Sequence, residues 1–172
     1  MTELRTPRLV LRRARPGDVD GLHAILSDKR AMKHWSTLPH ESLAETQQWL
    51  DAMLARGPGF DDFVVELDGR VVGKAGAWRM PEIGYILHPD VWGMGIATEA
   101  LRAVIPHLFA AHDAPALTAD VDPGNAASIR LLEKLGFRET GRASRTFFIG
   151  GQWFDSIYLA LARDRWAALN RG

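Results

Sequence analysis

Two closely spaced glycines, Gly93 and Gly95, come directly before a stretch with the apolar spacing of a helix. The first backbone N–H groups of a helix have no partner inside the helix, and with the helix dipole they form a site for an anion. Glycine lets the backbone approach a phosphate closely and adopt dihedral angles that other residues avoid. The loop from Gly93 to Thr98 is therefore predicted to hold a pyrophosphate with main-chain donors.

Two common phosphate-binding motifs do not match this loop. The dinucleotide motif G-x-G-x-x-G needs a third glycine, but its place is taken by Thr98, and the Gly-Lys-Ser/Thr of a P-loop does not follow. These departures disfavour NAD and ATP as ligands. The chain has no cysteine, which excludes a cysteine nucleophile, disulfides and thiolate zinc sites. The histidines show no spacing typical of metal ligands, so no metal site is predicted.

Turn signals and apolar periodicity divide the chain into helices and strands around this loop. The strand that leads into the loop, 82–87, and the helix that follows it, 98–112, should position its backbone donors. Pro106 is expected to kink that helix because proline removes one backbone donor. The other predicted strands are 8–13, 63–67, 71–78, 117–121, 137–149 and 153–161, and the other predicted helices begin at Asp18, Lys29, Ser42, Asn125 and Arg163.

The order of these elements indicates an α+β fold. Early helices are followed by antiparallel hairpins around Asp68-Gly69 and Gly150-Gly151 and by a β-α-β-α unit, which favours a mixed sheet. A length of 172 residues suits one domain, 1–172.

Charge and hydropathy exclude several other classes of function. The 21 basic and 21 acidic side chains cancel, so no global field favours nucleic acid or an anionic membrane. The arginines near the start are interpreted as solvated strand and turn residues: Arg5, Arg8, Arg12, Arg13 and Arg15. The sequence lacks the apolar core of a signal peptide and any apolar run of about 18 residues. A cytoplasmic location is the expectation.

Taken together, the motifs resemble the GCN5-related N-acetyltransferase (GNAT) superfamily, and within it the ribosomal-protein N-terminal acetyltransferases. The resemblance runs from about residue 5 to residue 166, and the combination is more specific than any one motif. The matching stretches, in the order of the family, are Leu9-Val10-Leu11-Arg12, Ile83-Gly84-Tyr85, the segment from Trp92 to Ala100, Asn125-Ala126-Ala127-Ser128, the segment from Glu133 to Phe137, and Asp155-Ser156.

This resemblance implies acetyl-CoA as the acyl donor. It also implies a mixed, mostly antiparallel twisted sheet with helices on both faces, in which the parallel strands 82–87 and 117–121 splay apart in a V. The pantetheine arm would lie in that cleft. The residues implied to bind the donor are Ile86, Leu87 and His88 at the pantetheine amides, Gly93, Met94, Gly95, Ile96, Ala97 and Thr98 at the pyrophosphate, and Asn125 and Ser128 on the far side of the arm.

The resemblance also suggests two catalytic residues, Glu82 and Ser128. The amine must be neutral to attack a thioester, and an α-amine with a pKa of about 7.7–8.0 is already partly neutral near pH 7, whereas a lysine is not. Glu82 is the candidate base. Many members carry a tyrosine acid where this chain has Leu132, and Ser128 is the candidate that orients or stabilises the leaving thiolate.

The acceptor is expected to approach opposite the CoA, between the early helices and the late hairpin. Trp35, Tyr85, Phe148, Trp153 and Asp155 are the candidate acceptor contacts, and the assembly is expected to be a monomer or a homodimer. Three alternatives stay open: a non-catalytic acyl-CoA sensor, an acetyltransferase for a small-molecule amine, and an enzyme for a longer acyl donor. The lack of acidic runs argues against polyamines as acceptors.

Overall fold

The two hairpins form where the sequence has its strongest turn signals. Asp68 and Gly69 adopt positive φ angles of 52° and 75°, and Gly150 and Gly151 adopt angles of 58° and 83°. Two consecutive residues with positive φ match the right-handed twist of the flanking strands. Asp61–Leu67 (β3) therefore folds back onto Arg70–Arg79 (β4), and Arg138–Ile149 (β7) pairs with Gln152–Ala162 (β8).

In the computed structural model, which describes residues 2–171, eight strands form one mixed sheet. Residues 1 and 172, the two ends of the predicted domain, lie outside the described residues. The remaining strands are Leu4–Arg5 (β1), Leu9–Arg12 (β2), Glu82–Leu87 (β5) and Ala116–Val121 (β6). The order across the sheet is β1-β2-β3-β4-β5-β6-β8-β7, and β5 and β6 form its parallel pair. The predicted mixed, mostly antiparallel sheet is confirmed.

Helices cover both faces of the sheet, as predicted. Val19–Leu26 (α1) and Leu43–Ala55 (α2) bury residues such as Leu22 and Leu50 in one core. Ile96–Ala111 (α3) and Ala126–Lys134 (α4) contribute Leu101 and Leu132 to a second core on the other face. A last helix, Arg163–Leu169 (α5), follows β8. The sheet thus separates two apolar layers, and any opening in it connects them.

The sequence predicted most boundaries within a few residues, with two exceptions. The short strand β1 was not predicted, and the predicted helix at 29–34 is a series of turns. There the Asp28 carboxylate accepts hydrogen bonds from the backbone N–H groups of Arg30 and Ala31, which compete with helical hydrogen bonding. Pro106 lies inside α3, which continues through it as one helix, and the kink expected there stays a prediction.

The arginines near the start are not all solvated. Arg12 is buried with Asp18, and its guanidinium donates to both carboxylate oxygens at 2.9 and 2.7 Å. Asp18 precedes α1 as predicted, but its side chain makes no capping hydrogen bond because it is engaged by Arg12. Arg13 is largely buried too, and it pairs with Asp61. The interpretation of these arginines as solvated was therefore wrong for Arg12 and Arg13.

Candidate active site

The parallel strands β5 and β6 separate almost as soon as they meet. Their one paired position is Glu82 with Thr118, where the Thr118 N–H donates to the Pro81 carbonyl at 2.9 Å. Beyond this point the strands lose their register, and a cavity of about 880 Å³ occupies the opening. The predicted V-shaped splay is therefore present at the predicted strands.

Strand alternation shows that this cavity reaches both faces of the sheet. Ile83 packs in the core of α3 and α4, whereas Ile86 packs in the core of α1 and α2. On β6, Ala119 belongs to the α3 and α4 side, so the side chain of Asp120 projects to the α1 and α2 side. Both Tyr85, which packs against the α3 and α4 core, and Asp120 line the cavity. A molecule on either face can therefore meet another through the opening.

A pair of hydroxyl groups lies on the α3 and α4 side of this opening. The Tyr85 hydroxyl is 2.5 Å from the Ser128 hydroxyl. Ser128 is held in place because the Asn125 side-chain carbonyl accepts its backbone N–H at 3.2 Å, which makes Asn125 the N-cap of α4. Burial raises the pKa of Tyr85 to about 12, although the Ser128 hydroxyl acts in the opposite direction. The phenol is therefore protonated near neutral pH and able to donate a hydrogen bond.

The predicted base, Glu82, lies at the start of the opening. Its carboxylate lines the cavity and accepts a hydrogen bond from the indole N–H of Trp78 at 3.2 Å. Trp78 is exposed, so this carboxylate sits at the rim of the cavity. Glu82 and Ser128 both contribute to the cavity wall, as the sequence predicted, and their roles are taken up under the proposed function.

A buried ion pair forms part of the cavity floor. The ammonium group of Lys74 is 2.5 Å from the carboxylate of Asp62, and both side chains are 2–3% exposed. A side chain at Gly84 would have its Cβ 3.8 Å from the Lys74 nitrogen and 4.0 Å from the Trp35 ring. The glycine therefore keeps open the space between the ion pair and the ring.

The glycine loop has the geometry of an anion site. Gly93 and Gly95 adopt φ angles of 74° and 76°, and Gly95 precedes the first helical residue of α3, Ile96. No side chain caps this helix end, and the loop from Gly93 to Gly95 is exposed. The N–H groups at the start of α3 are therefore available to an anion, and their binding of a pyrophosphate stays a prediction.

Arg8, which directly precedes β2, holds this loop against the sheet. Its guanidinium donates to the Met94 carbonyl at 2.9 Å and pairs with the Glu99 carboxylate in the first turn of α3. Burial disfavours ionisation of Glu99, but hydrogen bonds from Thr6 and Arg8 outweigh it, and its pKa is lowered. The loop is thus tied to β2 on one side and to α3 on the other.

The predicted pantetheine contacts are partly engaged within the protein. The Leu87 carbonyl accepts the indole N–H of Trp92 at 3.1 Å, and the His88 backbone N–H donates to Val72 at 2.8 Å. The His88 imidazole accepts the Asp90 backbone N–H at 3.2 Å, so its ring is engaged within the loop that follows β5. Pantetheine amides would have to use Ile86 and the remaining main-chain groups of Leu87 and His88.

Two of the predicted acceptor contacts do not reach the cavity. Trp35, Tyr85 and Asp155 line it, whereas Phe148 and Trp153 stack on each other with ring centres 5.1 Å apart and are 62% and 49% exposed. Their neighbours Phe147 and Phe154, which form a cross-strand pair, line the cavity instead. Phe148 and Trp153 thus do not line the cavity, and their role as acceptor contacts stays a prediction.

Several residues of the cavity wall were not predicted from the sequence. Strand alternation would have identified Asp120, because Leu117, Ala119 and Val121 mark the buried face of its strand. Lys74 is a charged residue inside the predicted strand 71–78, which is a signal for a buried partner, and Asp62 directly precedes the predicted strand 63–67. The contact between the His34 imidazole and Asp122, at 2.9 Å, joins distant segments and left no sequence signal.

Two other features, a metal-binding group and a membrane-spanning helix, are absent from residues 2–171. No group of three or more His, Asp or Glu side chains in this range is arranged to hold a metal ion. No helix among the same residues is long and apolar enough to cross a membrane.

The splayed parallel strands, the anion site at the start of α3 and the hydroxyl pair beside the opening together define a CoA-dependent acyltransferase. Residues 8–138 match the acetyltransferase (GNAT) domain. The chain belongs to the GNAT acetyltransferase family, so its predicted activity as an acetyl-CoA-dependent N-acetyltransferase is confirmed.

Relatives in this family differ in their acceptors. The chain is 28% identical to spermidine N(1)-acetyltransferase of Escherichia coli over 88% of this chain and 84% of the relative. It is 30% identical to an L-methionine sulfoximine/L-methionine sulfone acetyltransferase of Pseudomonas paraeruginosa, over 90% and 94% of the two chains. Among solved structures, the ribosomal L7/L12 alpha-N-protein acetyltransferase in complex with coenzyme A superimposes with a TM-score of 0.80 at 20% identity, covering 95% of this chain and 99% of the other.

Proposed function

We propose that the protein transfers the acetyl group of acetyl-CoA to the primary amine of a small molecule. The acceptor is held in the cavity on the α1 and α2 side of the sheet, and the donor lies on the α3 and α4 side. The observation that carries this proposal is the cavity at the β5–β6 opening, which brings Glu82 on one side and Tyr85 with Ser128 on the other into one space.

The size and lining of the cavity favour a small molecule over a peptide N-terminus. A volume of about 880 Å³ lies within the range of about 300–1,000 Å³ typical of small-molecule sites. Aromatic side chains form much of its wall, namely Trp35, Trp49, Trp78, Phe60, Phe147 and Phe154. Such a wall suits an acceptor with an apolar body and an ammonium group, which aromatic faces attract.

The relatives support an amine acceptor and span three kinds. One is named for spermidine, one for amino-acid analogues and one for a protein N-terminus. The cavity wall carries four basic side chains, Lys29, Lys33, Lys74 and Arg79, against five carboxylates. The excess of one negative charge is smaller than a polyamine, with several positive charges, would favour. An amine with one positive charge and an apolar body is therefore our first choice.

In this proposal the residues around the opening divide the chemistry between them. Main-chain groups of Gly93 to Thr98 hold the pyrophosphate of the donor, and those of Ile86 to His88 hold the pantetheine. Acetyl-CoA supplies the thioester that the amine attacks. Glu82 is the predicted carboxylate near the incoming amine, and Ser128 with Tyr85 donates a hydrogen bond where the thiolate leaves.

Three wider features belong to the same proposal. Residues 1–172 form a single domain, the protein acts in the cytoplasm, and it needs neither nucleic acid nor membrane as a partner. The assembly is a monomer or a homodimer, which light scattering coupled to gel filtration distinguishes.

An acceptor screen tests the proposed function. The purified protein is mixed with acetyl-CoA and an amine panel of 2-phenylethylamine, methionine sulfone, spermidine, free amino acids and peptides with free N-termini. Thiol release and mass spectrometry of the product report turnover. We expect the highest kcat/KM with a small apolar amine. Preference for peptides would contradict the choice of a small acceptor, and binding of CoA without turnover on any amine would contradict the proposed activity.

A further inference from the structure

Asp120 occupies a position on β6 that no sequence motif singled out. Because Glu82 pairs with Thr118, Asp120 lies on the same face two residues further into the opening, roughly 6–7 Å along the strand. Its side chain is half-buried and lines the cavity on the α1 and α2 side, the proposed acceptor side. Across β5, the nearest position on this face is Gly84, which has no side chain to cover it.

The surroundings of Asp120 favour its protonated form more than water does. Burial raises the pKa of its carboxyl, and the Ser156 hydroxyl from the adjacent strand lowers it by a smaller amount. A carboxylate with a raised pKa is a stronger base than an ordinary aspartate. The titratable and charged groups that share this part of the cavity or pair with β6 are Glu82, the Asp62–Lys74 pair, the His34–Asp122 pair, Asp155, and Tyr158 opposite Asp120.

Most of these neighbours are committed to other partners. Asp62 is bound by Lys74, Asp122 by His34, and Asp155 accepts the backbone N–H of Arg145 at 2.9 Å. Glu82 accepts the indole N–H of Trp78 at the rim. Unlike Asp62 and Asp122, Asp120 is not paired with a cation among residues 2–171, and along β6 it lies two positions beyond the level of Glu82. It also lies closer than Glu82 to the level where β5 presents Tyr85.

We propose that Asp120 is the general base that removes a proton from the acceptor ammonium group before it attacks the thioester. This assignment rests on the proposed function, and it replaces Glu82 in that role. Glu82 then acts at the rim, where its negative charge attracts the ammonium group into the cavity.

The proton balance of the transfer is complete with these residues. Asp120 takes one proton from R–NH₃⁺, and the neutral nitrogen forms a bond to the carbonyl carbon of acetyl-CoA. When the carbon–sulfur bond breaks, the sulfur receives a proton through the Tyr85–Ser128 pair. The nitrogen gives up its second proton, which restores that pair, and Asp120 releases the first proton to solvent. The products are the acetamide and free CoA.

Acceptor amines of different basicity test the assignment. The reference pair is 2-phenylethylamine with 2,2-difluoro-2-phenylethylamine, and any other amine that is turned over is compared with the analogue that carries two fluorines on the carbon β to the nitrogen. Fluorine makes the amine less basic at nearly unchanged shape, so more of it is neutral at pH 7. Asp120→Asn should lower kcat/KM about 100-fold for the basic amine and much less for the fluorinated one. Asp120→Glu should restore part of the activity.

Controls separate a chemical from a structural effect. Asp51→Asn, which removes an exposed carboxylate on α2, should not change either rate. The affinity for CoA and the thermal unfolding of Asp120→Asn are measured alongside. The pH–rate profile with the basic amine gives a second test, because kcat/KM of the wild-type protein should fall on the acid side as the base is protonated, and this fall should be absent in Asp120→Asn.

The possible outcomes are distinct. Equal losses for both amines of a pair, or full activity of Asp120→Asn, would overturn the assignment of Asp120 while leaving the proposed function in place. If the fall of kcat/KM at low pH disappears in Glu82→Gln and persists in Asp120→Asn, Glu82 is the general base. Absence of turnover by the wild-type protein on every amine would overturn the proposed function and this assignment together.

Discussion

The hydroxyl of Tyr85 on β5 lies 2.5 Å from the hydroxyl of Ser128 on α4, the helix that follows β6. A hydrogen bond therefore links β5 to α4 on the α3 and α4 side of the β5–β6 opening. In many members of the superfamily a tyrosine on the helix serves as the acid, but that place is taken here by the fully buried Leu132. The structure supplies a phenol from the neighbouring strand instead. Since the pKa of Tyr85 is raised to about 12, the phenol remains a donor near neutral pH and can pass a proton through Ser128.

This pair predicts that Tyr85→Phe and Ser128→Ala each lower kcat about 100-fold, because each removes one hydroxyl from the path to the leaving thiolate. The double variant should lose little more than either single variant, since the two groups act as one unit. Single-turnover kinetics with acetyl-CoA measure the effect on the chemical step.

Affinity for CoA is measured for both substitutions, so that a loss of donor binding in Ser128→Ala, which also removes a predicted contact with the pantetheine arm, is separated from the loss in kcat. Strictly additive losses in the double variant would show that the two hydroxyls act independently. A thioester donor whose thiolate is a better leaving group should be less affected by the substitutions, because that thiolate needs less help to depart.

The parts of the site that local signals determine were predictable from the sequence. The strand Glu82–Leu87, the loop at Gly93 and the N-cap at Asn125 depend on turn residues and spacing within a few positions. The buried ion pairs were not predictable, because Arg12 with Asp18 and Lys74 with Asp62 are defined by packing between separate elements. A charged residue in a strand shows that a partner is needed, but it does not show which one.

The late hairpin shows a second limit of sequence analysis. A bulge between Ala143 and Phe147, with Arg145 at a φ of 55°, interrupts the pairing of β7 with β8. This irregularity adds two residues to β7, and the shift between Glu139 and Gly141 adds one more. Because an odd number of extra residues reverses the alternation of faces, counting along β7 from its paired start cannot show which of Phe147 and Phe148 points inward. The cross-strand pair Phe147–Phe154, which lines the cavity, therefore lies one residue away from the predicted contacts Phe148 and Trp153, whose role stays a prediction.

This assignment leads to a prediction for acceptor binding. Phe154→Ala removes a ring from the cavity wall, so KM for the acceptor should rise about 5- to 30-fold, equivalent to about 1–2 kcal/mol of lost apolar contact. The matched control is Trp153→Ala, the next residue on β8, whose ring lies on the other face. Steady-state kinetics with varied acceptor at saturating acetyl-CoA separate the two variants. Equal effects of both substitutions would contradict the cavity assignment.

The glycine loop gives a prediction for donor binding. Gly95→Asp introduces a negative charge where the pyrophosphate is expected and forces a non-glycine residue into a φ of 76°. The dissociation constant for CoA should rise at least about 100-fold, given the costs of backbone strain and of like-charge repulsion. Titration calorimetry with CoA measures it.

Gly17→Asp is the matched control for that substitution. Gly17 is exposed, and a Cβ placed there meets no atom within 4 Å. The substitution Gly17→Asp adds the same charge to the protein at a distance from the loop, so the affinity for CoA should hardly change. Unchanged affinity in Gly95→Asp would show that the pyrophosphate binds elsewhere.

The buried pair between Arg12 and Asp18 predicts a pH-dependent contribution to stability. Burial opposes ionisation of Asp18, but hydrogen bonds from the Arg12 guanidinium and the Arg15 backbone N–H outweigh it, so the pKa of Asp18 is lowered in the folded protein. The ionised carboxylate therefore stabilises the fold at pH values above the ordinary aspartate pKa of about 3.9. This contribution is lost as pH falls through the lowered folded-state pKa.

Asp18→Asn should accordingly lower the free energy of unfolding by about 3–5 kcal/mol at pH 7, because it leaves the buried guanidinium of Arg12 with Glu66 as its remaining carboxylate partner. The difference from the wild-type protein should shrink as the pH is lowered below 4, where Asp18 of the wild type begins to be protonated as well. Urea unfolding at a series of pH values measures it, with Asp51→Asn as the exposed control on α2. A difference that stayed constant with pH would show that Asp18 stabilises the fold through its shape and hydrogen bonds and not through its charge.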